Sequence, residues 1–203
     1  MSIFEQLANR DQVFEFLTPV ASPVDVRHGP ILYMEDVSVS FDGFKAINNL
    51  NLTIDDGELR CIIGPNGAGK STAIKLFLGL LKPTSGSAEV MGDKTYESVE
   101  ARARLGYMPE PDCLPTAITA SEFLTHMAQV SGIPPAFARI RAADILRHVG
   151  LEEERYRPIG QYSTGMKQRV KLAQSLAHGP LVVLLDEPTA GLDPGGREDM
   201  LRL

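Results

Sequence analysis

The chain has 203 residues, 43% of them hydrophobic and 23% charged, with a formal net charge of −6. That length supports one sizeable core rather than two, and the acidic balance excludes a nucleic-acid wrapper, which needs surplus Lys and Arg to neutralise phosphate. No apolar run approaches the ~18 residues of a membrane span, and Cys61 and Cys113 show neither metal spacing nor a disulfide framework, so a reducing, cytoplasmic compartment is expected.

In chain order, residues 1–17 read as a helix with Ile3, Leu7, Phe14 and Leu17 on one side, closed by Pro19 and Ser22-Pro23. Residues 1–30 are thus expected to form an N-terminal helical extension that packs back on its own domain or, alternatively, docks onto a partner. Ile31 to Phe41 alternates apolar and polar positions, the pattern of a half-buried strand, and Asp42-Gly43 is a turn. Leu50–Ile54 and Glu58–Ile63 flank Asp55-Asp56-Gly57, which predicts a hairpin with Cys61 inside its second strand.

That strand runs into Gly64-Pro65-Asn66-Gly67-Ala68-Gly69-Lys70-Ser71-Thr72, a match to G-x-x-x-x-G-K-[ST]. Three glycines let the backbone curl around a triphosphate, and the helix that follows turns its positive end toward the same anion. Lys70 is then expected on the β- and γ-phosphates of that triphosphate and Ser71 on Mg²⁺. Ile74, Phe77, Leu78 and Leu81 form the apolar face of that helix, which Pro83 ends.

Residues 87–91 and 104–108 read as short strands, followed by a loop containing Pro109, Pro111 and Pro115. Thr119-Ala120-Ser121-Glu122 is a capping box opening a helix with Phe123, Leu124 and Met127 on one face. A second helix runs from about Pro135 to Gly150 with Phe137, Ile140, Ile145 and Val149 apolar, and a third from about Thr164 to His178. Leu181–Leu185 is apolar throughout, like a parallel strand covered on both faces. It ends in Asp186-Glu187, where a carboxylate beside the phosphate loop suits a Mg²⁺-holding acid, Asp186, and the next one a general base for the attacking water, Glu187.

Upstream of that pair lies Tyr162-Ser163-Thr164-Gly165-Met166-Lys167-Gln168. With this addition the chain resembles the nucleotide-binding subunit of an ABC (ATP-binding cassette) ATPase. The resemblance implies an α/β fold: a P-loop NTPase domain of ABC type over residues 31–203, with a mostly parallel core sheet, an antiparallel β layer and a helical subdomain at about 112–162. It implies ATP as ligand with Mg²⁺, hydrolysis by Lys70 and Glu187, and a head-to-tail dimer, either a homodimer or a pair with another ABC subunit. There Ser163 and Gly165 of one subunit would face the γ-phosphate held by the other. Residue by residue, Phe41 takes the place of the aromatic that stacks on adenine, and Asp193 in Ala190-Gly191-Leu192-Asp193 that of the acid touching the opposite site. Glu110 falls where the family has a glutamine coupling metal and nucleotide to the membrane partner, and its carboxylate could ligate the metal.

The resemblance further implies a subunit on the cytoplasmic face of the membrane, powering transport through a separate polytopic partner, with no nucleic acid expected. Tyr162, Thr164 and Met166 depart from the usual signature residues, and with Pro109-Glu110 they resemble the efflux branch. The family's γ-phosphate histidine, on a further strand, is not matched by His28, His126, His148 or His178. The last sheet strands are therefore expected to be missing and turnover impaired. Two other readings stay open: a soluble ABC-type ATPase acting on DNA or ribosomes, and a nucleotide-binding module without turnover.

Overall fold

The computed structural model describes residues 29–41 and 43–203; the expected N-terminal helix lies outside them. Strands β1 (Leu32–Phe41) and β2 (Phe44–Ile54) form an antiparallel hairpin that pairs Leu32 with Ile54 at one end and Phe41 with Phe44 at the other. Strand β3 (Ser85–Val90) lies antiparallel on the other side of β1, and the two-residue β4 (Asp93–Lys94) closes the sheet in the order β2-β1-β3-β4. The alternation in β1 does what its period of two dictates, sending Leu32, Met34, Val37 and Val39 into the core.

The hairpin is bulged where its register slips. Asp36 and Asn49 both take left-handed backbone, at φ 47° and 48°, conformations that short polar side chains tolerate best. Asp36 is held by side chains: its amide donates to Asn51 Oδ1 at 2.9 Å, and the Asn51 amide group donates to Asp36 Oδ1 at 3.1 Å. One bulge is thereby fixed by a two-way side-chain clasp.

Helix α1 (Lys70–Phe77) buries Ala73, Leu76 and Phe77 against this sheet. It stops earlier than Pro83 because Gly79 turns left-handed at φ 66°, with the Thr95 carbonyl oxygen only 2.5 Å from where a Cβ would sit. Leu76 rather than Ile74 takes a buried position on this helix, beside Ala73 and Phe77.

A short helix, α2 (Val99–Ala103), precedes β5 (Leu105–Met108) and is capped by Ser98, which accepts from the Ala101 amide. Helices α3 (Ala120–Val130) and α4 (Pro135–His148) pack on one another, and two single turns at Glu154–Tyr156 and Ile159–Gln161 lead to α5 (Thr164–Leu176). The capping box of α3 is present on both sides, Thr119 Oγ1 accepting from the Glu122 amide and Glu122 from the Thr119 amide. Leu124, Leu146, Val149 and Ile159 are fully buried between these helices, whereas Ile140 faces outward, 37% exposed.

Strand β6 (Val182–Leu185) runs parallel to β5, Leu105 opposite Val182 and Met108 opposite Leu185, and α6 (Pro194–Leu201) follows. Among the described residues the parallel part of the structure is this pair. Strand β6 is consequently half-buried, with Leu185 39% exposed, rather than covered on both faces.

The largest departure from expectation is Glu58–Ile63, which forms no strand. Its proposed hairpin partner, β2, spends its ladder on β1, and the Asp55–Gly57 turn closes on itself: the Asp55 amide donates to Glu58 Oε2 at 3.1 Å. With no ladder partner among the described residues, Leu59 and Ile63 stand 98% and 90% exposed, and Cys61 is exposed instead of lying in a strand.

Candidate functional site

The site begins at the backbone. Gly67 and Gly69 adopt φ 83° and 85°, and a Cβ on Gly69 would sit 2.8 Å from the Ala46 carbonyl oxygen, so glycine is required there by conformation and by space. Gly69 is the N-cap of α1 and the Ala73 amide donates to its carbonyl. No side chain caps this helix and its first turn carries no acid. Its leading amides thus remain available to an anion, and the helix dipole adds to the attraction.

Two side chains at the start of α1 reach the end of β6. The Ser71 hydroxyl donates to Asp186 Oδ1 at 3.2 Å, and Lys70 Nζ lies 3.1 Å from Glu187 Oε1 while donating to the Gly64 carbonyl at 2.7 Å. Asp186 is buried, 6% exposed, and its amide donates to the Met108 carbonyl, continuing the β5–β6 ladder to the last residue before the turn. Glu187 breaks that ladder with a left-handed φ of 50°, a strained conformation for a residue with a Cβ. The kink is what lets two successive carboxylates engage different partners, one buried on Ser71 and one half-exposed on Lys70.

Beyond Glu187 the chain folds back, the Ala190 amide donating to the Glu187 carbonyl at 3.0 Å. Gln168 of α5 donates through Nε2 to the Ala190 carbonyl, also at 3.0 Å. Gly191 turns at φ 73°, where a Cβ would lie 3.3 Å from Thr164 Cγ2. Asp193 then caps α6, accepting from the Gly196 amide at 2.8 Å. The N-terminus of α5 is packed on this same turn, with Leu192 Cδ2 3.7 Å from the space beside Gly165. Ser163 caps α5 by accepting from the Met166 amide at 3.3 Å, and Tyr162 before it is buried with its hydroxyl donating to the Glu154 carbonyl at 2.6 Å. Burial raises the Tyr162 phenol above its ordinary pKa, which keeps it a donor.

The structure therefore brings together Gly64, Lys70, Ser71, Asp186 and Glu187, and separately Ser163, Gly165 and the 190–193 turn. Among the described residues, no hydrogen bond or ion pair joins the first group to Phe41, Ser163 or Asp193. Phe41 ends β1 with its ring 47% exposed beside Phe44, open to a flat partner. Glu110 is exposed, just past β5. Among the described residues no three His, Cys, Asp or Glu side chains gather into a metal cluster. A hydroxyl and a carboxylate oxygen from the protein are nevertheless a donor set suited to Mg²⁺, which takes one or two carboxylates plus phosphate and water.

A cavity of about 330 Å³ opens behind the loop, bounded by Lys70, Ile47, Leu50, Leu52, Ile62 and Ile63. Apart from the loop residues Ala68, Gly69 and Lys70 its wall is mainly apolar, so anion binding falls to those residues and the helix amides.

Sequence reasoning passed over three residues of α5. Gln168 holds the 190 turn as described, Lys167 Nζ lies 3.0 Å from Asp112 Oδ2, and Lys171 Nζ donates to the Glu110 carbonyl at 2.8 Å. The available signal was their spacing: Thr164, Lys167, Gln168 and Lys171 recur at three and four residues, the period of a helix face, and polar residues on a face that also holds buried Ser175 need partners.

A glycine-wrapped loop capping a helix, whose Lys and Ser meet consecutive carboxylates at the end of a parallel strand, defines a P-loop α/β domain. Comparison with known proteins specifies it further. Residues 47–190 match the family described as ABC transporter. The bacitracin transport ATP-binding protein BcrA of Bacillus licheniformis is 37% identical over 174 residues, covering 85% of this chain and 56% of that protein. The daunorubicin/doxorubicin resistance ATP-binding protein DrrA of Streptomyces peucetius is 38% identical over 161 residues, covering 79% and 49%. Among solved structures, a dimeric ATP-binding cassette in a post-hydrolysis state with ADP and Pi superposes with a TM-score of 0.74 at 29% identity, covering 84% of this chain and 80% of that one. The chain belongs to the ABC transporter family. It spans about half the length of the curated relatives it matches, and no helix among its described residues is long and apolar enough to cross a membrane.

Proposed function

We propose that this chain is the ATP-binding and hydrolysing subunit of an ABC exporter, working on the cytoplasmic face of a membrane through a separate polytopic subunit. Residues 31–203 serve as its nucleotide-binding domain, with a helical subdomain at about 112–162. The observation that carries the reading is the pairing of Ser71 with Asp186 and of Lys70 with Glu187 at one helix N-terminus. The relatives' roles in bacitracin transport and drug resistance favour export of a small molecule.

In this reading the amides of Gly67 to Ser71 and the Lys70 ammonium bind the β- and γ-phosphates, and Phe41 stacks on the adenine. Ser71 and Asp186 would hold Mg²⁺, with Glu110 a further candidate ligand; bound there, the ion would neutralise charge that develops on the phosphate oxygens. Glu187 has to leave Lys70 before it can act. A γ-phosphate is the stronger partner for the ammonium, so its arrival frees the Glu187 carboxylate to accept a proton from the attacking water. Ser163, Gly165 and Asp193 meet the nucleotide of a second cassette, a copy of this chain or a paired subunit, and ATP holds the two together until hydrolysis.

Fluorescent-ATP titration and light scattering test this directly. Lys70→Ala should abolish binding, and Glu187→Gln should accumulate an ATP-bound dimer. A Glu187→Gln protein that stays monomeric at saturating Mg-ATP would sink the dimer model.

A further inference from the structure

We propose that Lys171 is a positioning residue for the nucleotide site: it fastens the loop bearing Glu110 to the helix whose N-terminus carries Ser163 and Gly165. This rests on the function proposed above. Lys171 lies on α5 and is almost wholly buried, 2% exposed. Taking an ammonium out of water is costly unless it is hydrogen-bonded and compensated by opposite charge, and a Met or Leu of similar length would fill the space without that cost. The amine therefore has a polar task, and its hydrogen bond states which: Nζ donates to the Glu110 carbonyl at 2.8 Å, across 61 residues of sequence. The Asp112, Glu110 and Asp186 carboxylates offset part of its charge.

The attachment is doubled one turn earlier, where Lys167 grips Asp112 at 3.0 Å. Two lysines four residues apart on one helix face thus hold two positions of one loop. That loop leaves β5 at Met108, whose carbonyl receives the Asp186 amide. Glu110 is consequently suspended between the strand end that carries Asp186 and the helix that carries Ser163. Any displacement of α5 must carry the Glu110 backbone with it through Lys171, which sets where the Glu110 carboxylate stands relative to the metal held by Ser71 and Asp186. Lys171 touches neither phosphate nor metal in this scheme and acts through Glu110.

The test has two readouts on the full chain. Amide hydrogen exchange of residues 110–113, without nucleotide, reads the fastening itself: Lys171→Met should speed it about tenfold, while Ser163 to Gly165 stay unchanged. Fluorescent-ATP binding reads the consequence. Lys171→Met should keep wild-type affinity in EDTA, raise the Mg²⁺ needed for half-maximal effect about tenfold, and be rescued by Lys171→Arg. Unchanged exchange in the 110–113 loop, or equal loss of affinity with and without Mg²⁺, would overturn the proposal. Lys171→Gln repeats the comparison with a shorter neutral side chain, and failure of both neutral variants to fold would assign Lys171 to stability alone. If the wild-type chain binds no nucleotide, the proposed function fails, while the exchange data still decide whether Lys171 fastens the loop.

Discussion

Ser71 and Asp186, 115 residues apart in sequence, share one hydrogen bond at 3.2 Å. That contact ties the first turn of α1 to the end of β6 and places a hydroxyl and a buried carboxylate side by side beneath the open amides of the loop. It also separates metal chemistry from fold. Asp186→Asn keeps the acceptor oxygen for Ser71 and removes only the charge, so stability should change by less than about 1 kcal/mol, while the Mg²⁺ dependence of ATP binding should weaken by about tenfold or more. Thermal unfolding and a Mg²⁺ titration on the same samples check both halves.

The phosphate loop offers an internal comparison between two glycines. Both Gly67 and Gly69 have positive φ, but a Cβ on Gly67 meets nothing within 4 Å, whereas one on Gly69 strikes the Ala46 carbonyl. Gly67→Ala should therefore cost only the left-handed strain, about 1 kcal/mol. Gly69→Ala should cost clearly more, because backbone must move as well. Denaturant unfolding without nucleotide ranks the two, and equal losses would contradict the close approach of β2 to the loop.

Helix α3 carries a pH-dependent cap. Two donors from Thr119, its amide first and then its hydroxyl, hold the Glu122 carboxyl below its ordinary pKa. Its folded pKa is thus lower than its unfolded one, near 4.3. The cap's contribution is present above that value and is lost as pH falls through the lower folded one. Glu122→Gln should lower the melting temperature at pH 7, and that penalty should shrink as pH falls through the lowered folded pKa. Thr119→Ala removes the other half of the box and should cost about 1 kcal/mol at neutral pH. A pH-independent difference between wild type and Glu122→Gln would rule out the ionised cap.

The Gln168 side-chain amide is buried. It donates to the Ala190 carbonyl while its own oxygen is buried with no hydrogen-bond partner among the described residues. Gln168→Leu leaves Ala190 unsatisfied but removes that orphaned oxygen, so its net stability cost should stay below about 1.5 kcal/mol. The 188–192 turn should loosen, read as faster amide exchange there than in β6. Unaltered exchange in the turn would show that Gly191 and Leu192 hold it by packing alone.

Local chemistry was legible in the sequence because it is written in short stretches. The Gly64–Thr72 loop, the Thr119–Glu122 box, the Ser163 cap and the apolar run ending in Asp186-Glu187 each depend on residues a few positions apart, and each formed where expected. Alternation in β1 fixed its buried face for the same reason. Partner choice is a different kind of information. Whether β2 pairs with β1 or with 58–63 depends on which edge is nearest in space, and the tertiary arrangement chose β1 and left Leu59 and Ile63 in solvent. The Lys70–Glu187 pair and the hold of Lys171 on Glu110 likewise span 117 and 61 residues. Composition and periodicity act over a few residues. Contacts at such separations exist only after the chain has closed its loops, and only the folded structure could decide them.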